Sequence, residues 1–131
     1  MSTKPIQIVL CSWLLCGALL GCGGYKAADH KVEGTSARRI LEDVLTGWKD
    51  GKSVDEWQEK KPPIVVQDMD WKGGAKLESF EILGDGEAID ANLHCRVKLK
   101  LKMPNNSKAD KTVEYLVGTS PVATVFRAMG P

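Results

Sequence analysis

The sequence predicts an α+β domain in which one long N-terminal helix and a short helix pack on a curved antiparallel sheet of four to five strands, a cone-like arrangement. Three observations predict it: apolar residues recur at helical spacing over residues 37–48, polar and apolar residues alternate over residues 91–103, and the helical patterns precede every strand pattern. The chain has 131 residues, 43% of them apolar, and a net charge of +1. That composition is typical of a single ordinary domain.

The long helix is predicted from a stripe at positions i, i+3, i+4, i+7, i+8 and i+11, the spacing of one helix face. The stripe consists of Ala37, Ile40, Leu41, Val44, Leu45 and Trp48. Either Thr35 or Ser36 is suited to cap its start, and Gly51 suits the left-handed position after its end.

A short second helix is predicted from the capping box formed by Ser53 and Glu56. It should run through Trp57 to about Lys60. Pro62-Pro63 should end it, because the residue before a proline is disfavoured in helical geometry.

The rest of the chain reads as strands separated by turns. The predicted strands are 64–67, 77–83, 91–103, 112–117 and 122–128. Gly84-Asp85-Gly86 should be the turn after the second of them. In the third, Leu93, Cys95 and Val97 should face the core, so that Cys95 is an inert buried thiol.

This pattern resembles the nuclear transport factor 2-like and cystatin-like superfamily. The resemblance rests on the helix end Trp48-Lys49-Asp50-Gly51, the capped turn after it and the long strands, and it covers residues 35 onward. It implies that any small-molecule site would lie between the helix and the concave sheet face.

The N-terminus predicts export. Lys4 is followed by the apolar run 6–20, which is too short to span a bilayer and is typical of a signal peptide. Leu19-Leu20-Gly21-Cys22 then resembles the lipobox of bacterial lipoproteins. The resemblance implies cleavage between Gly21 and Cys22 and attachment of a diacylglycerol and an acyl chain to Cys22. More than one chain on a residue gives stable membrane anchoring.

The predicted organisation is therefore a removed signal peptide (1–21), a lipidated cysteine with a flexible tether (22–34) and one domain (35–131). Cys11 and Cys16 would leave with the signal, and Cys95 would be the one free thiol. No metal site and no cofactor beyond the lipid on Cys22 is expected, and a near-neutral exported domain is not expected to bind nucleic acid.

Four cations form the most polarised predicted surface: Arg96, Lys98, Lys100 and Lys102. They either engage an anionic partner or pair across strands with Glu78, Glu81 or Glu114, and the second interpretation is favoured.

Catalysis would need a carboxylate in apolar surroundings and a donor for an oxyanion. The candidates are Asp68, Asp70 or Asp90 as the acid or base and Tyr115 as the donor. The simpler interpretation is that Asp68 and Asp70 cap or brace the loop before Trp71 and that Tyr115 packs at the core edge.

Trp48, Trp57 and Trp71 form either an aromatic ligand subsite or, as favoured, bulk for the core. The leading expectation is a non-enzymatic, lipid-anchored binding or scaffolding domain in a bacterial cell envelope, with an envelope protein or a second copy as partner. The alternative is a small-molecule binder or isomerase-like enzyme that uses the pocket between helix and sheet.

Overall fold

A computed structural model describes residues 32–130 of the chain. In that range it shows an α+β domain with three helices and one five-stranded mixed sheet. The elements are α1 (Gly34–Lys49), α2 (Val54–Gln58), β1 (Ile64–Gln67), α3 (Met69–Lys72), β2 (Lys76–Ile89), β3 (Asn92–Lys102), β4 (Lys108–Gly118) and β5 (Ala123–Arg127). The α+β class predicted from sequence is confirmed.

The strand order in the sheet is β1-β5-β4-β3-β2. Strands β2 to β5 follow one another as antiparallel neighbours, but β1 pairs with β5 in parallel. The expectation of a wholly antiparallel sheet is therefore wrong. The connection through α3 carries the chain from β1 at one edge of the sheet to β2 at the opposite edge. β1 is thus left beside β5, the last strand, and runs parallel to it.

The predicted apolar stripe of α1 faces the core of the domain. Its buried side chains are Ala37, Leu41, Val44, Leu45 and Trp48. The helix contacts β2, β3, β4 and β5. The predicted cap is wrong: the Glu33 carboxylate accepts hydrogen bonds from the backbone amides of Thr35 at 3.2 Å and Ser36 at 2.8 Å, so those two residues belong to the first turn.

The predicted faces of β3 are confirmed. Its buried residues are Leu93, Cys95, Val97, Leu99 and Leu101. The predicted end of β2 is wrong, because Gly84 and Gly86, with φ of +68° and +83°, lie in an irregularity between Leu83 and Glu87 and the strand continues to Ile89. Only glycine adopts such angles at low cost, so these residues bend the strand rather than end it.

Two contacts fix the direction of α1 along the sheet. The guanidinium of Arg38 donates to the carbonyl of Gly84, and Trp48 Nε1 donates to the carbonyl oxygen of Ala75 at 2.9 Å. The N-terminal half of α1 therefore lies toward the β2–β3 turn, which we call the hairpin end, and its C-terminus lies where β2 begins.

Candidate functional site

Five polar side chains meet where β1 and β5 end. Asp68 directly follows β1, Asp70 lies in α3, Lys111 and Tyr115 lie on β4, and Arg127 closes β5. Because β1 and β5 are parallel neighbours, their carboxyl ends lie side by side at the same end of the sheet. This brings Asp68 beside Arg127. We call these residues the Asp68 cluster.

Asp68 is the centre of the cluster. Its Oδ1 accepts hydrogen bonds from the backbone amides of Asp70 at 2.9 Å and Trp71 at 3.1 Å and from Arg127 Nη1 at 3.0 Å. Its Oδ2 accepts a hydrogen bond from the hydroxyl of Tyr115. The Asp68 side chain is 1% exposed, so both carboxylate oxygens are occupied by protein donors and are closed to a substrate.

Arg127 links the two aspartates. The same Nη1 that contacts Asp68 lies 2.7 Å from Asp70 Oδ2, and Lys111 Nζ lies 2.8 Å from that oxygen. Two carboxylates thus face two cations, and formal charge within this group cancels. A partly buried ion cluster of this kind is stable only when its charges are paired, and each carboxylate here contacts at least one cation.

The pKa values follow from this pairing. Burial acts to raise the pKa of Asp70, but the hydrogen bonds from Lys111 and Arg127 outweigh it and the net shift is downward. Burial, the Asp68 charge and the Asp68 hydrogen bond all raise the pKa of Tyr115, which therefore stays protonated. Burial acts to lower the pKa of Arg127, but Asp68 and Asp70 raise it further.

An open cleft of about 610 Å³ lies beside the cluster. Its lining includes Asp68, Asp70, Lys111 and Arg127 together with Val66, Gln67, Met69, Lys72, Ala128, Met129 and Gly130. Met69 and Met129 are 75% and 82% exposed, which is unusual for large apolar side chains and marks them as part of the cleft rim. We call this feature the Asp68 cleft.

The structure brings together three of the four catalytic candidates. Asp68, Asp70 and Tyr115 are in the cluster, whereas Asp90 is exposed in the β2–β3 turn with φ of 53°. Asp68 also caps α3, which confirms that it braces the segment before Trp71. The one proton of the Tyr115 hydroxyl is donated to Asp68, so it is not available to an oxyanion.

Sequence reasoning missed Lys111 and Arg127. The signal was a charged residue at a core-facing strand position: Lys111 continues the alternation of Val113, Tyr115 and Val117, and its register partner is the buried Leu99. Arg127 likewise follows the buried Val125 and pairs in register with Tyr115. A cation at such a position needs a buried carboxylate near it.

The three tryptophans belong to the core, as favoured from sequence. Trp48 and Trp71 stack with ring centroids 5.0 Å apart and an interplanar angle of 3°. Trp71 Nε1 donates to the carbonyl oxygen of Lys52 at 2.9 Å. Trp57 is buried as well, and Nζ of Lys60 lies 4.3 Å from its ring centroid.

The predicted cationic stripe lies on the outer face of the sheet, between residues of mixed charge on β2 and β4. In register, Arg96 lies opposite Glu114, and Lys98 lies opposite both Glu81 and Thr112. The other two members, Lys100 and Lys102, lie opposite Asp110 and Lys108. In the described residues no ion pair joins the stripe to an acidic side chain, since Glu114 pairs with His94 and Glu78 with Lys108. Lys102 lies between Lys76 and Lys108 in register. The engagement of an anionic partner by the stripe stays a prediction.

The structure also shows the surroundings of Cys95 and His94. Cys95 is fully buried, and burial raises the pKa of its thiol, as expected for an inert core cysteine. His94 lies on the outer face, where its Nδ1 is 2.8 Å from Glu114 Oε1.

The predicted cleavage and lipidation site, Gly21 and Cys22, lies outside the described residues. Within residues 32–130, no helix is long and apolar enough to span a bilayer. The same range contains no group of three or more His, Cys, Asp or Glu side chains arranged to hold a metal ion. Comparison of the chain with protein-family profiles, with curated proteins and with solved structures gave no significant match.

Proposed function

We propose that this chain is a lipid-anchored protein of a bacterial cell envelope whose domain acts by binding, without catalysis, through the Asp68 cleft. The observation that carries the binding part is the Asp68 cleft. It has exposed methionines at its rim, and it lies beside charged side chains that hold one another in place. The proposal has an anchor part and a binding part, and they are tested separately.

The anchor part is supported by the sequence. A cation-bearing start, the apolar run 6–20 and Leu19-Leu20-Gly21-Cys22 follow one another without a gap. A diacylglycerol and an acyl chain on Cys22 would supply the two or more chains that stable anchoring needs.

The direction of α1 supports a cleft whose α3 wall lies at the helix end opposite the predicted tether. The chain enters the domain at the N-terminus of α1, whereas Trp48 near its C-terminus stacks on Trp71 of α3, the helix that lines the cleft. A helix of 16 residues is about 24 Å long. α3, which forms one wall of the cleft, therefore lies near the C-terminal end of α1.

The closed state of the cluster favours binding over catalysis. A general acid or base must come within hydrogen-bond reach of the substrate. Asp68 and Tyr115 are each 1% exposed and bonded to one another. Asp70 is held by Lys111 and Arg127, and its lowered pKa makes it a poor base at neutral pH.

The alternative, an enzyme or binder with a pocket between helix and sheet, is less well supported. In the described residues the space between α1 and the sheet is occupied by side chains that are less than 2% exposed, among them Leu41, Leu45, Leu99 and Tyr115. The proposed kinship with the nuclear transport factor 2-like and cystatin-like superfamily is supported by a helix packed on one sheet face.

Site-specific photo-crosslinking in cells tests the binding part. A photoreactive residue replaces Met69 or Met129 at the cleft, and Ile89 or Val122 serves as the matched control, since these are exposed apolar residues near the hairpin end. We expect one reproducible envelope partner, or a second copy of the chain, from the cleft positions only. Equal products from all four positions, or none from the cleft, would contradict a binding role for the cleft.

A further inference from the structure

In the part of the chain that the structure describes, one edge of the Arg127 guanidinium makes no hydrogen bond. Both of its contacts to carboxylates, with Asp68 and Asp70, are made by Nη1. Among the described residues, Nε and Nη2 have no hydrogen-bond partner, and neither atom is sealed in the interior as an orphan. Their N–H groups lie on the same side of the planar guanidinium, the arrangement that binds a carboxylate through two parallel hydrogen bonds.

The guanidinium is also fixed in place. Asp68 and Asp70 hold Nη1 from two sides, and the Arg127 side chain is only 15% exposed. A group that is ordered before binding loses little conformational freedom when a ligand arrives. The Nε and Nη2 edge of Arg127 is therefore held in a fixed position before any ligand binds, unlike the head group of an exposed arginine.

Charge in the cleft favours an anion. Asp68 and Asp70 are offset by Lys111 and Arg127, and the exposed Lys72 adds a cation that makes no ion pair within residues 32–130. An incoming carboxylate thus meets a positive site, although two aspartates lie beside it.

The lining also favours an apolar group next to the anion. Val66 and Ala128 line the cleft, and Met69 and Met129 stand exposed at its rim. Methionine side chains adapt to ligands of varied shape. A carboxylate with a short apolar substituent matches both parts of the cleft.

We propose that the Asp68 cleft binds a carboxylate that carries an apolar substituent, and that the Nε and Nη2 atoms of Arg127 bind the two carboxylate oxygens. The proposal names the ligand class for the binding role proposed above and rests on it. Two sources supply this chemistry, the C-terminus of an extended peptide and a small carboxylic acid.

Arginine-selective NMR of the mature lipidated protein in detergent tests the proposal directly. The chain has four arginines, Arg38, Arg39, Arg96 and Arg127, so Arg→Lys variants of the first three assign the Arg127 Nε signal by elimination even if Arg127→Lys does not fold. The probes are N-acetyl-leucine and its carboxamide, the tripeptide N-acetyl-Ala-Ala-Leu and its carboxamide, and sulfate.

We expect a saturable shift of the Arg127 Nε signal with both acids and no shift with either amide. Where Arg127→Lys folds, it should weaken binding of the acid at least tenfold, whereas Arg39→Lys on the exposed face of α1 should not change it. A tripeptide that binds tenfold or more tightly than N-acetyl-leucine assigns the site to a peptide C-terminus, and equal affinities assign it to small acids.

Three results would overturn the proposal: no shift at Arg127, an equal shift with the amides, or an equal shift with sulfate. Crosslinks from Met69 and Met129 that persist after such a result would leave the binding role intact and remove only its ligand class. If instead no crosslink formed from Met69 or Met129 while the Arg127 signal still shifted with the acids, the proposed binding of a partner at the cleft would be contradicted.

Discussion

Among residues 32–130, Asp68 is the one charged residue that is almost completely buried. An isolated carboxylate in that position would cost several kcal/mol, so its four donors decide whether the domain tolerates it. Two donors are backbone amides of α3, and two are the side chains of Tyr115 and Arg127. The residue therefore joins α3 to β4 and β5.

Tyr115→Phe removes one of these donors and little else. It leaves Asp68 Oδ2 buried without its partner, which should lower the free energy of unfolding by about 1–3 kcal/mol. Urea denaturation at neutral pH measures the change. The same substitution in an Asp68→Ala background should cost clearly less, and equal losses in the two backgrounds would show that the hydroxyl does not stabilise the domain through Asp68.

Asp70→Asn tests the lowered pKa of Asp70. A carboxyl whose pKa is lower in the folded state than its usual 3.8 adds stability above that pH, and this stability is lost as the pH falls through the folded-state pKa. The variant should be less stable than the wild type at pH 7, and the gap should narrow below about pH 4.

Denaturation midpoints across this pH range measure the effect, with Asp90→Asn as the control. Asp90 is exposed in a left-handed turn that suits asparagine, so its substitution should give no comparable pH-dependent gap. A gap for Asp70→Asn that is constant with pH would mean that its ion pairs do not stabilise the fold.

Residue types alone pointed to part of the cluster. Asp68, Asp70 and Tyr115 could be singled out because acid–base catalysis needs a carboxylate and an oxyanion needs a donor such as a phenol. The capping role of Asp68 follows from its position before Trp71. Lys111 and Arg127 could not be assigned, because their partners are 41 and 57 residues away and depend on the parallel pairing of β1 with β5.

At the scale of elements, α1 and α2 pack so closely that glycine is needed between them. A Cβ on Gly47 would lie 2.4 Å from Cζ2 of Trp57. Since Trp57 is buried and held under Lys60, its ring has little room to move. The close contact between α1 and α2 thus depends on the absence of a side chain at Gly47.

Gly47→Ala should therefore lower the free energy of unfolding by about 1–3 kcal/mol, despite the better helix propensity of alanine. Thermal or urea denaturation measures it. Gly34→Ala is the matched control, because nothing lies within 4 Å of a Cβ at that position. If both variants were equally stable, the close contact of Gly47 with Trp57 would be refuted.

Periodic elements were predictable and irregular ones were not. The stripe of α1 and the alternation of β3 each repeat often enough to identify a buried face. The end of β2 was missed because Gly84-Asp85-Gly86 has the composition of a turn yet lies in a bulge. The parallel placement of β1 was missed because a strand of four residues carries no signal of its neighbour.

At the scale of the whole molecule, the proposed function combines a predicted lipid anchor with the Asp68 cleft. The described chain enters the domain at the N-terminus of α1, and Trp48 near its C-terminus packs on the α3 that lines the cleft. Residues 22–31 reach at most about 35 Å when fully extended. The proposed cleft would then act within a few nanometres of the lipid surface.

The most direct test of the central claim is mass spectrometry of the mature protein from a lipoprotein-processing bacterium. We predict an N-terminal peptide that begins at Cys22 and carries a diacylglycerol and an acyl chain, with the same product from Cys16→Ala. Cys22→Ala should instead retain residues 1–21 and carry no lipid. A lipidated, mature-sized product from Cys22→Ala, or a wild-type chain cleaved elsewhere without lipid, would contradict the account.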